Sequence, residues 1–168
     1  MRTEFYWIDG PWPGKLAVAA RPRGGDWLVD EAAAWKRAGV DEVFSLLSPQ
    51  EEKDLDLGRE GTEFRAQGIE FVGFPIADLQ VPSSETKFAA FLEKVSADLS
   101  AGKSVVVHCR QGIGRSGLVA VCLLVARGMS PGAAVESVSA ARGVTVPETA
   151  VQREWIDRYA AALTSAKS

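Results

Sequence analysis

Hydrophobic residues along this chain form short continuous runs and longer stretches with helical spacing. The short runs cover residues 16–20, 40–47, 69–74 and 104–107. Short apolar runs that are rich in β-branched residues are typical of strands covered on both faces, as in a parallel sheet. The pattern therefore predicts buried strands in these four places.

Helical patterns lie between the predicted strands. Asp26 is placed to cap a first helix that stops at Gly39, and residues 50–67 are predicted to hold one or two short helices. Residues 75–82 contain two prolines, which cannot occupy a central strand because proline lacks a backbone donor. This segment is predicted to be a loop.

Four further helices are predicted in the C-terminal half. Ser84 begins the first, which carries an apolar stripe, and residues 115–127 are apolar nearly all round, as in a buried central helix. Ser130 and the proline after it start the third helix. Thr145 and Glu148 have the spacing of a capping box for the last one.

Alternating strand and helix patterns predict an α/β fold. We expect a central, largely parallel sheet of about four to five strands, flanked by helices and closed by a helical C-terminal cap. A chain of 168 residues is long enough for one domain, so residues 1–168 are predicted to form a single domain. Ligands of such folds bind beyond the carboxyl ends of the strands.

Composition narrows the classes of function. With 19 basic and 22 acidic residues, the net charge is −3, and no dense basic block predicts a nucleic-acid partner. The N-terminus lacks a signal-peptide core and no apolar run could span a bilayer, so we expect a cytoplasmic protein without membrane contact. Two cysteines and one histidine rule out a disulfide framework and most histidine-based metal chemistry.

The segment from His108 to Gly117 has the composition of an anion-binding loop. Gly112 and Gly114 allow the backbone to curl so that the N–H groups of residues 110–115 converge on one anion. These dipoles and the Arg115 guanidinium favour the thiolate form of Cys109, which is the nucleophilic form. Arg115 can also grip two phosphoryl oxygens with its planar fork.

Ser116 follows the loop, and its hydroxyl can donate toward the sulfur of Cys109 when a thiolate leaves. His108 is expected to support the loop backbone. The substrate phosphate is expected to contact the remaining loop positions, which are Arg110, Gln111, Gly112, Ile113 and Gly114.

The pattern His108-Cys109-x-x-Gly112-x-x-Arg115-Ser116 resembles the Cys-x5-Arg protein tyrosine phosphatases, dual-specificity type. Within that family the chain is most similar to the kinase-associated (cyclin-dependent kinase inhibitor type) phosphatases, through residues 75–78, 114–116 and 119–124. The resemblance implies a protein phosphatase that hydrolyses phosphotyrosine, with phosphoserine and phosphothreonine as further substrates, through a phosphocysteine intermediate. It implies a monomer that needs no metal and no organic cofactor.

The same resemblance assigns two residues outside the loop. Asp78 lies 31 positions before Cys109, where relatives carry a general acid that protonates the leaving oxygen and later activates water. Gln152 corresponds to a glutamine that helps to organise the attacking water or the pocket wall. Asp78 as a solvated loop carboxylate is the competing interpretation.

Three other functions fit the sequence less well. A phosphoinositide or small phosphate-ester phosphatase would be expected to carry lysines in the loop, where this chain has Gln111, Ile113 and Gly114. A non-catalytic phosphobinding module usually lacks the nucleophile or the acid. A sulfurtransferase of the rhodanese type also places a cysteine loop after a strand.

Two residues outside these assignments have more than one interpretation. Cys122 lies in an apolar helix, where a small buried hydrophobe is the ordinary interpretation and a redox partnership with Cys109 is the alternative. Arg142 is interpreted as a solvated turn residue, with a phosphate contact as the alternative.

Overall fold

The computed structural model describes residues 3–167, and Met1, Arg2 and Ser168 of the predicted single domain lie outside them. A five-stranded sheet forms the centre, in the order β1-β2-β5-β3-β4. The strands are β1 (Tyr6–Ile8), β2 (Lys15–Ala20), β3 (Glu42–Ser45), β4 (Glu70–Gly73) and β5 (Ser104–Cys109). All pairs are parallel except β1 with β2, so the predicted α/β class is confirmed.

Helices cover both faces of the sheet. They are α1 (Leu28–Arg37), α2 (Pro49–Asp54), α3 (Glu60–Ala66), α4 (Glu85–Ser100), α5 (Arg115–Ala126), α6 (Pro131–Arg142) and α7 (Ala150–Lys167). Residues of α1 and α3 pack on one face, whereas α4, α5, α6 and α7 contribute to the larger core on the other. Helix α5 is buried from Arg115 to Val125, as its apolar composition predicts.

The predicted helix starts are correct at two places and wrong at two. Ser84 and Ser130 accept backbone hydrogen bonds as the predicted N-caps of α4 and α6. Ser48 does the same for α2, where the sequence predicted a turn and no cap. Asp26 caps nothing, because residues 25–27 form a 3-10 turn and α1 begins at Leu28 without a side-chain cap.

The predicted box at Thr145 and Glu148 lies too early. Helix α7 begins at Ala150, and its cap is Thr149, whose Oγ1 accepts from the Gln152 N–H while Gln152 Oε1 accepts from the Thr149 N–H. This reciprocal pair is a capping box displaced by one turn from the predicted one.

Strand β1 is missing from the predicted pattern. It has three residues and lies at the edge of the sheet, with Tyr6 paired to Val18 and Ile8 paired to Leu16. A strand this short carries too little alternation to be recognised. Within residues 3–167, none of the helices has the length and apolar character needed to cross a membrane.

Candidate active site

Strand β5 delivers two polar side chains to opposite faces of the sheet. Side chains alternate along a strand, so Val107 and Cys109 face the larger core while Val106 and His108 face α1 and α3. His108 is fully buried, and its Nε2 lies 2.5 Å from Glu60 Oε2. Cys109, the last residue of the strand, opens the loop.

The loop closes around the sulfur of Cys109. The Gly112 N–H donates to Sγ at 3.3 Å, and Ser116 Oγ lies 3.3 Å from Sγ on the first turn of α5. Gly112 has φ +74°, and a Cβ there would lie 2.6 Å from the carbonyl carbon of Ala19 in β2. Only glycine satisfies both the backbone angle and this close approach to a strand.

The Arg115 guanidinium is buried beside the sulfur and is held from two sides. Nη1 and Nη2 donate to the two oxygens of Glu51 at 2.6 Å and 2.9 Å, and Nη1 also donates to the Ile76 carbonyl at 2.8 Å. Burial lowers the pKa of Arg115, but its bonds to Glu51 and the nearby Cys109 raise it further, so the group stays charged. The arginine is a fixed cation at the base of the site.

Glu51 is the partner that fixes this arginine. It is the third residue of α2, and its Oε1 also accepts from the Ser48 N–H at 3.0 Å in a capping box. Burial would raise the pKa of Glu51, but hydrogen bonds from Arg115 and from the Ser48 backbone outweigh burial and lower it. Glu51 is therefore ionised where it meets Arg115.

Asp78 lies at the mouth of the same site. Its Oδ1 accepts from Arg115 Nη2 at 3.0 Å, and its side chain is 49% exposed, whereas that of Glu51 is 9% exposed. The next residue, Leu79, has φ +64°, which is uncommon for a residue other than glycine. Such backbone strain is concentrated at functional sites.

A pocket opens between residues 75–82, called here the acid loop because they carry Asp78, the loop that follows Cys109, and the segment before α7. It is lined by Asp78, Leu79, Cys109, Arg110, Gln111, Gly114, Arg115 and Glu148. The structure thus brings together the predicted nucleophile, arginine and acid. Two carboxylates and two guanidinium groups surround a cysteine that is 2% exposed, which makes a small polar pocket suited to a single anion.

Other predicted site residues lie around the pocket rather than in its wall. The side chain of Ile113 packs partly against the core. Gln152 is fully buried behind Gly114, and its Nε2 donates to the Gln80 carbonyl in the acid loop at 3.1 Å. The His108 ring contacts Glu60, whereas the prediction gave it the loop backbone as its partner.

Three functional contacts escaped the sequence analysis. Ser48 and Glu51 carry the spacing of a capping box, which signals the start of α2 but gives no indication of Arg115. Glu60 lies in the charged stretch of residues 50–67, for which the sequence predicts short helices but no contact with His108. Glu148 was interpreted as a cap, but it lines the pocket.

One group of carboxylates could hold a cation, within the part of the chain that the structure describes. Glu42, Glu70 and Asp98 place oxygens within 4.8 Å of one another, at the amino ends of β3 and β4 and the end of α4. Two lysine ammonium groups, those of Lys94 and Lys103, already pair with them. This group lies at the opposite end of the parallel strands from Cys109, and none of its three residues lines the pocket.

Comparison with known proteins gives a family match over most of the chain. Residues 18–129 match the family described as "Tc-R-P: Polymorphic toxin system, DSP-PTPase phosphatase". Cyclin-dependent kinase inhibitor 3 of Rattus norvegicus is 29% identical over 139 residues, which are 79% of this chain and 65% of the relative. The chain spans 65% of the length of this relative, and 29% and 24% of two others, "Putative tyrosine phosphatase 197R" of Invertebrate iridescent virus 6 and "Putative tyrosine phosphatase 067L" of Invertebrate iridescent virus 3.

Two solved structures share the fold over nearly their whole length. A kinase associated phosphatase with serine in place of its catalytic site cysteine has a TM-score of 0.87 at 20% identity, covering 98% of both chains. Tk-PTP in its active form has a TM-score of 0.74 at 29% identity, covering 93% of this chain and 95% of the other. The resemblance seen in the sequence is thus confirmed.

Proposed function

Because this chain belongs to the DSP-PTPase phosphatase family, we propose that it hydrolyses phosphotyrosine, and phosphoserine or phosphothreonine, on protein substrates through a phosphocysteine intermediate. One observation carries the proposal. The Gly112 N–H and the Ser116 hydroxyl both lie 3.3 Å from Cys109 Sγ, at the base of a pocket that Arg115 and Asp78 enclose.

In the first step the Cys109 thiolate attacks phosphorus and the bond to the leaving oxygen breaks. The loop N–H groups and Arg115 stabilise charge that spreads over the equatorial oxygens. Asp78, at the mouth, gives its proton to the departing oxygen. The products of this step are a phosphocysteine, a free hydroxyl and the Asp78 carboxylate.

In the second step water attacks the phosphocysteine. The Asp78 carboxylate takes a proton from this water, and the sulfur leaves as a thiolate. Ser116 donates its hydroxyl hydrogen bond to that sulfur, which stabilises the leaving thiolate. Inorganic phosphate then departs, and all steps balance without a metal or an organic cofactor.

The pocket composition supports a protein monoester rather than a highly phosphorylated inositol. Asp78 and Glu148 are both carboxylates, and of the two arginines one, Arg115, is already paired with Glu51. A substrate with several phosphates would meet little additional positive charge here.

A reducing compartment such as the cytoplasm would keep the two free cysteines as thiols, and we place the protein there.

The test compares wild type, Cys109→Ser and Asp78→Asn in hydrolysis of p-nitrophenyl phosphate and of a phosphotyrosine peptide, both in EDTA. We expect Cys109→Ser to be inactive. Asp78→Asn should lose about 10²- to 10⁴-fold in kcat on the peptide and less on p-nitrophenyl phosphate, because p-nitrophenolate leaves without a proton.

Asp54→Asn is the matched control, since Asp54 is an exposed carboxylate at the end of α2. It should leave both rates unchanged. A folded wild type that is inert toward both substrates, or an equal loss on both substrates in Asp78→Asn, contradicts the proposal. Faster turnover of a phosphoinositide than of any phosphopeptide would favour the lipid alternative instead.

A further inference from the structure

Residues outside the loop that surrounds Cys109 donate hydrogen bonds to the loop's backbone carbonyl groups. The Arg110 carbonyl accepts from the Arg21 backbone N–H at 3.5 Å. The Gln111 carbonyl accepts from Arg142 Nη2 at 3.2 Å, and the Gly112 carbonyl accepts from Arg142 Nε at 2.9 Å. Three consecutive loop carbonyls are therefore hydrogen-bonded to residues outside the loop.

Because the peptide group is planar, a hydrogen bond that fixes a loop carbonyl also fixes the direction of the N–H group that follows it. In a planar trans peptide the C=O and the following N–H point in opposite directions. A carbonyl of Gln111 that is held outward directs the Gly112 N–H inward, and this N–H does donate to Cys109 Sγ at 3.3 Å. The same rule directs the Ile113 N–H inward when the Gly112 carbonyl is held.

The Arg142 side chain is itself held in place by an aromatic ring. Its Cζ lies 4.0 Å from the centroid of Tyr6 in β1, the edge strand that packs near α6. A guanidinium over an aromatic face is attracted by the ring quadrupole. Arg142 does not line the pocket, so its charge acts on the loop and not directly on a bound anion.

We propose that Arg142 is a positioning residue, which orients the Gly112 and Ile113 N–H groups toward the phosphate by bonding the carbonyls of Gln111 and Gly112. This inference rests on the proposed function, because it concerns the same loop. Tyr6 supports the guanidinium in that geometry. Arg142 thus acts through the backbone and not as a turn residue or a phosphate ligand.

The test measures anion binding by the loop and the reactivity of Cys109, neither of which requires catalytic turnover. Tungstate binding and the rate of Cys109 alkylation by iodoacetamide at pH 6 are compared in wild type, Arg142→Ala and Arg142→Lys. Cys122 is fully buried, and burial raises the pKa of its thiol well above the usual value, so alkylation of the folded protein reports Cys109.

We expect Arg142→Ala to weaken tungstate binding about ten- to a hundredfold and to slow alkylation, because two inward N–H groups lose their orientation. Arg142→Lys keeps the charge but cannot bond two carbonyls as a fork. Its tungstate affinity and alkylation rate should therefore lie between those of wild type and Arg142→Ala. Arg127→Ala is the control, since Arg127 Nη2 also donates to a backbone carbonyl, that of Pro11, away from the loop. It should bind tungstate as wild type does.

Wild-type tungstate affinity and alkylation in folded Arg142→Ala would overturn the inference. If Arg142→Ala does not fold, wild-type behaviour of Arg142→Lys has the same effect. The outcome is separable from the proposed function, because a protein that hydrolyses no phosphate ester can still show these differences in tungstate binding and alkylation.

Discussion

At the level of single side chains, the partners of Arg115 decide how the pocket accepts an anion. Its bonds to Glu51 and Ile76 are buried, whereas its bond to the half-exposed Asp78 lies at the mouth. An incoming phosphate can replace Asp78 without breaking the buried contacts. Binding would then free Asp78 to approach the leaving oxygen.

The first prediction concerns Glu51. In Glu51→Gln only the amide oxygen can accept from Arg115, because the NH2 group that replaces the second oxygen is a donor, and the buried guanidinium loses its counter-charge. Breaking a buried pair in this way costs about 3–5 kcal/mol, and displacement of the guanidinium should lower kcat/KM by about a hundredfold. Thermal unfolding and steady-state hydrolysis of p-nitrophenyl phosphate measure the two effects.

The control for Glu51 is Glu63→Gln. Glu63 also pairs with an arginine, Arg59, but on the surface of α3, where such a pair contributes little. Its variant should keep wild-type activity and lose less than about 1 kcal/mol. Equal effects of the two variants would show that Glu51 has no special relation to Arg115.

At the level of elements, the loop depends on its packing against the end of β2. A side chain at Gly112 would meet the Ala19 carbonyl carbon at 2.6 Å and the Ala20 nitrogen at 2.8 Å. Since both atoms belong to the backbone of a paired strand, the loop has to move instead of the strand. The close approach therefore fixes the position of the Gly112 N–H relative to Cys109.

The second prediction is that Gly112→Ala loses tungstate binding by about a hundredfold. Gly102→Ala is a matched control, because Gly102 has φ +88° but nothing within 4 Å of its added Cβ. Both variants place alanine in the left-handed region, which costs about 1–2 kcal/mol. Isothermal titration with tungstate separates the two, and similar affinities would contradict the packing argument.

At the level of the whole molecule, charged side chains gather at both ends of the parallel strands. The candidate active-site pocket lies at the carboxyl ends of the parallel strands, and the carboxylates of Glu42, Glu70 and Asp98 gather at the opposite end. Burial, followed by hydrogen bonds with Asp98 and Glu70, raises the pKa of Glu42 to about 8, although Lys94 opposes this. Glu42 is therefore protonated at neutral pH in the folded protein.

The third prediction follows from the sign of this shift. Because the pKa of Glu42 is higher in the folded than in the unfolded protein, its protonation stabilises the fold. This stabilisation is complete at pH values below the ordinary pKa of glutamate and is lost as the pH rises through about 8. Glu42→Gln resembles the protonated form at every pH. Compared with wild type, its unfolding free energy should improve by about 1–3 kcal/mol between pH 6 and pH 9, because two lysines moderate the shift.

Chemical denaturation at pH 6 and pH 9 measures this difference. Glu70 and Asp98 have lowered pKa values, so their contributions disappear only at acidic pH, below this window. Glu136→Gln, an exposed glutamate on α6, is the control and should show no change with pH relative to wild type. A constant offset for Glu42→Gln at both pH values would contradict the prediction.

The sequence by itself determined the α/β class, most of the strands and helices and the core of the site. Hydrophobic periodicity is a local signal, and the cysteine, glycines, arginine and serine of the loop lie within ten residues of one another. Asp78 came from the resemblance to a family, and its position beside Arg115 agrees with that assignment.

Only the tertiary structure decided which distant side chains meet the loop. Glu51, Glu60 and Arg142 lie 64, 48 and 30 positions from the residues that they contact. On the sequence each is one charged residue among many, and nothing local distinguishes a buried partner from a solvated one. Burial selects these contacts, because a charge inside the protein is stable only where folding brings it a counter-charge or a hydrogen bond.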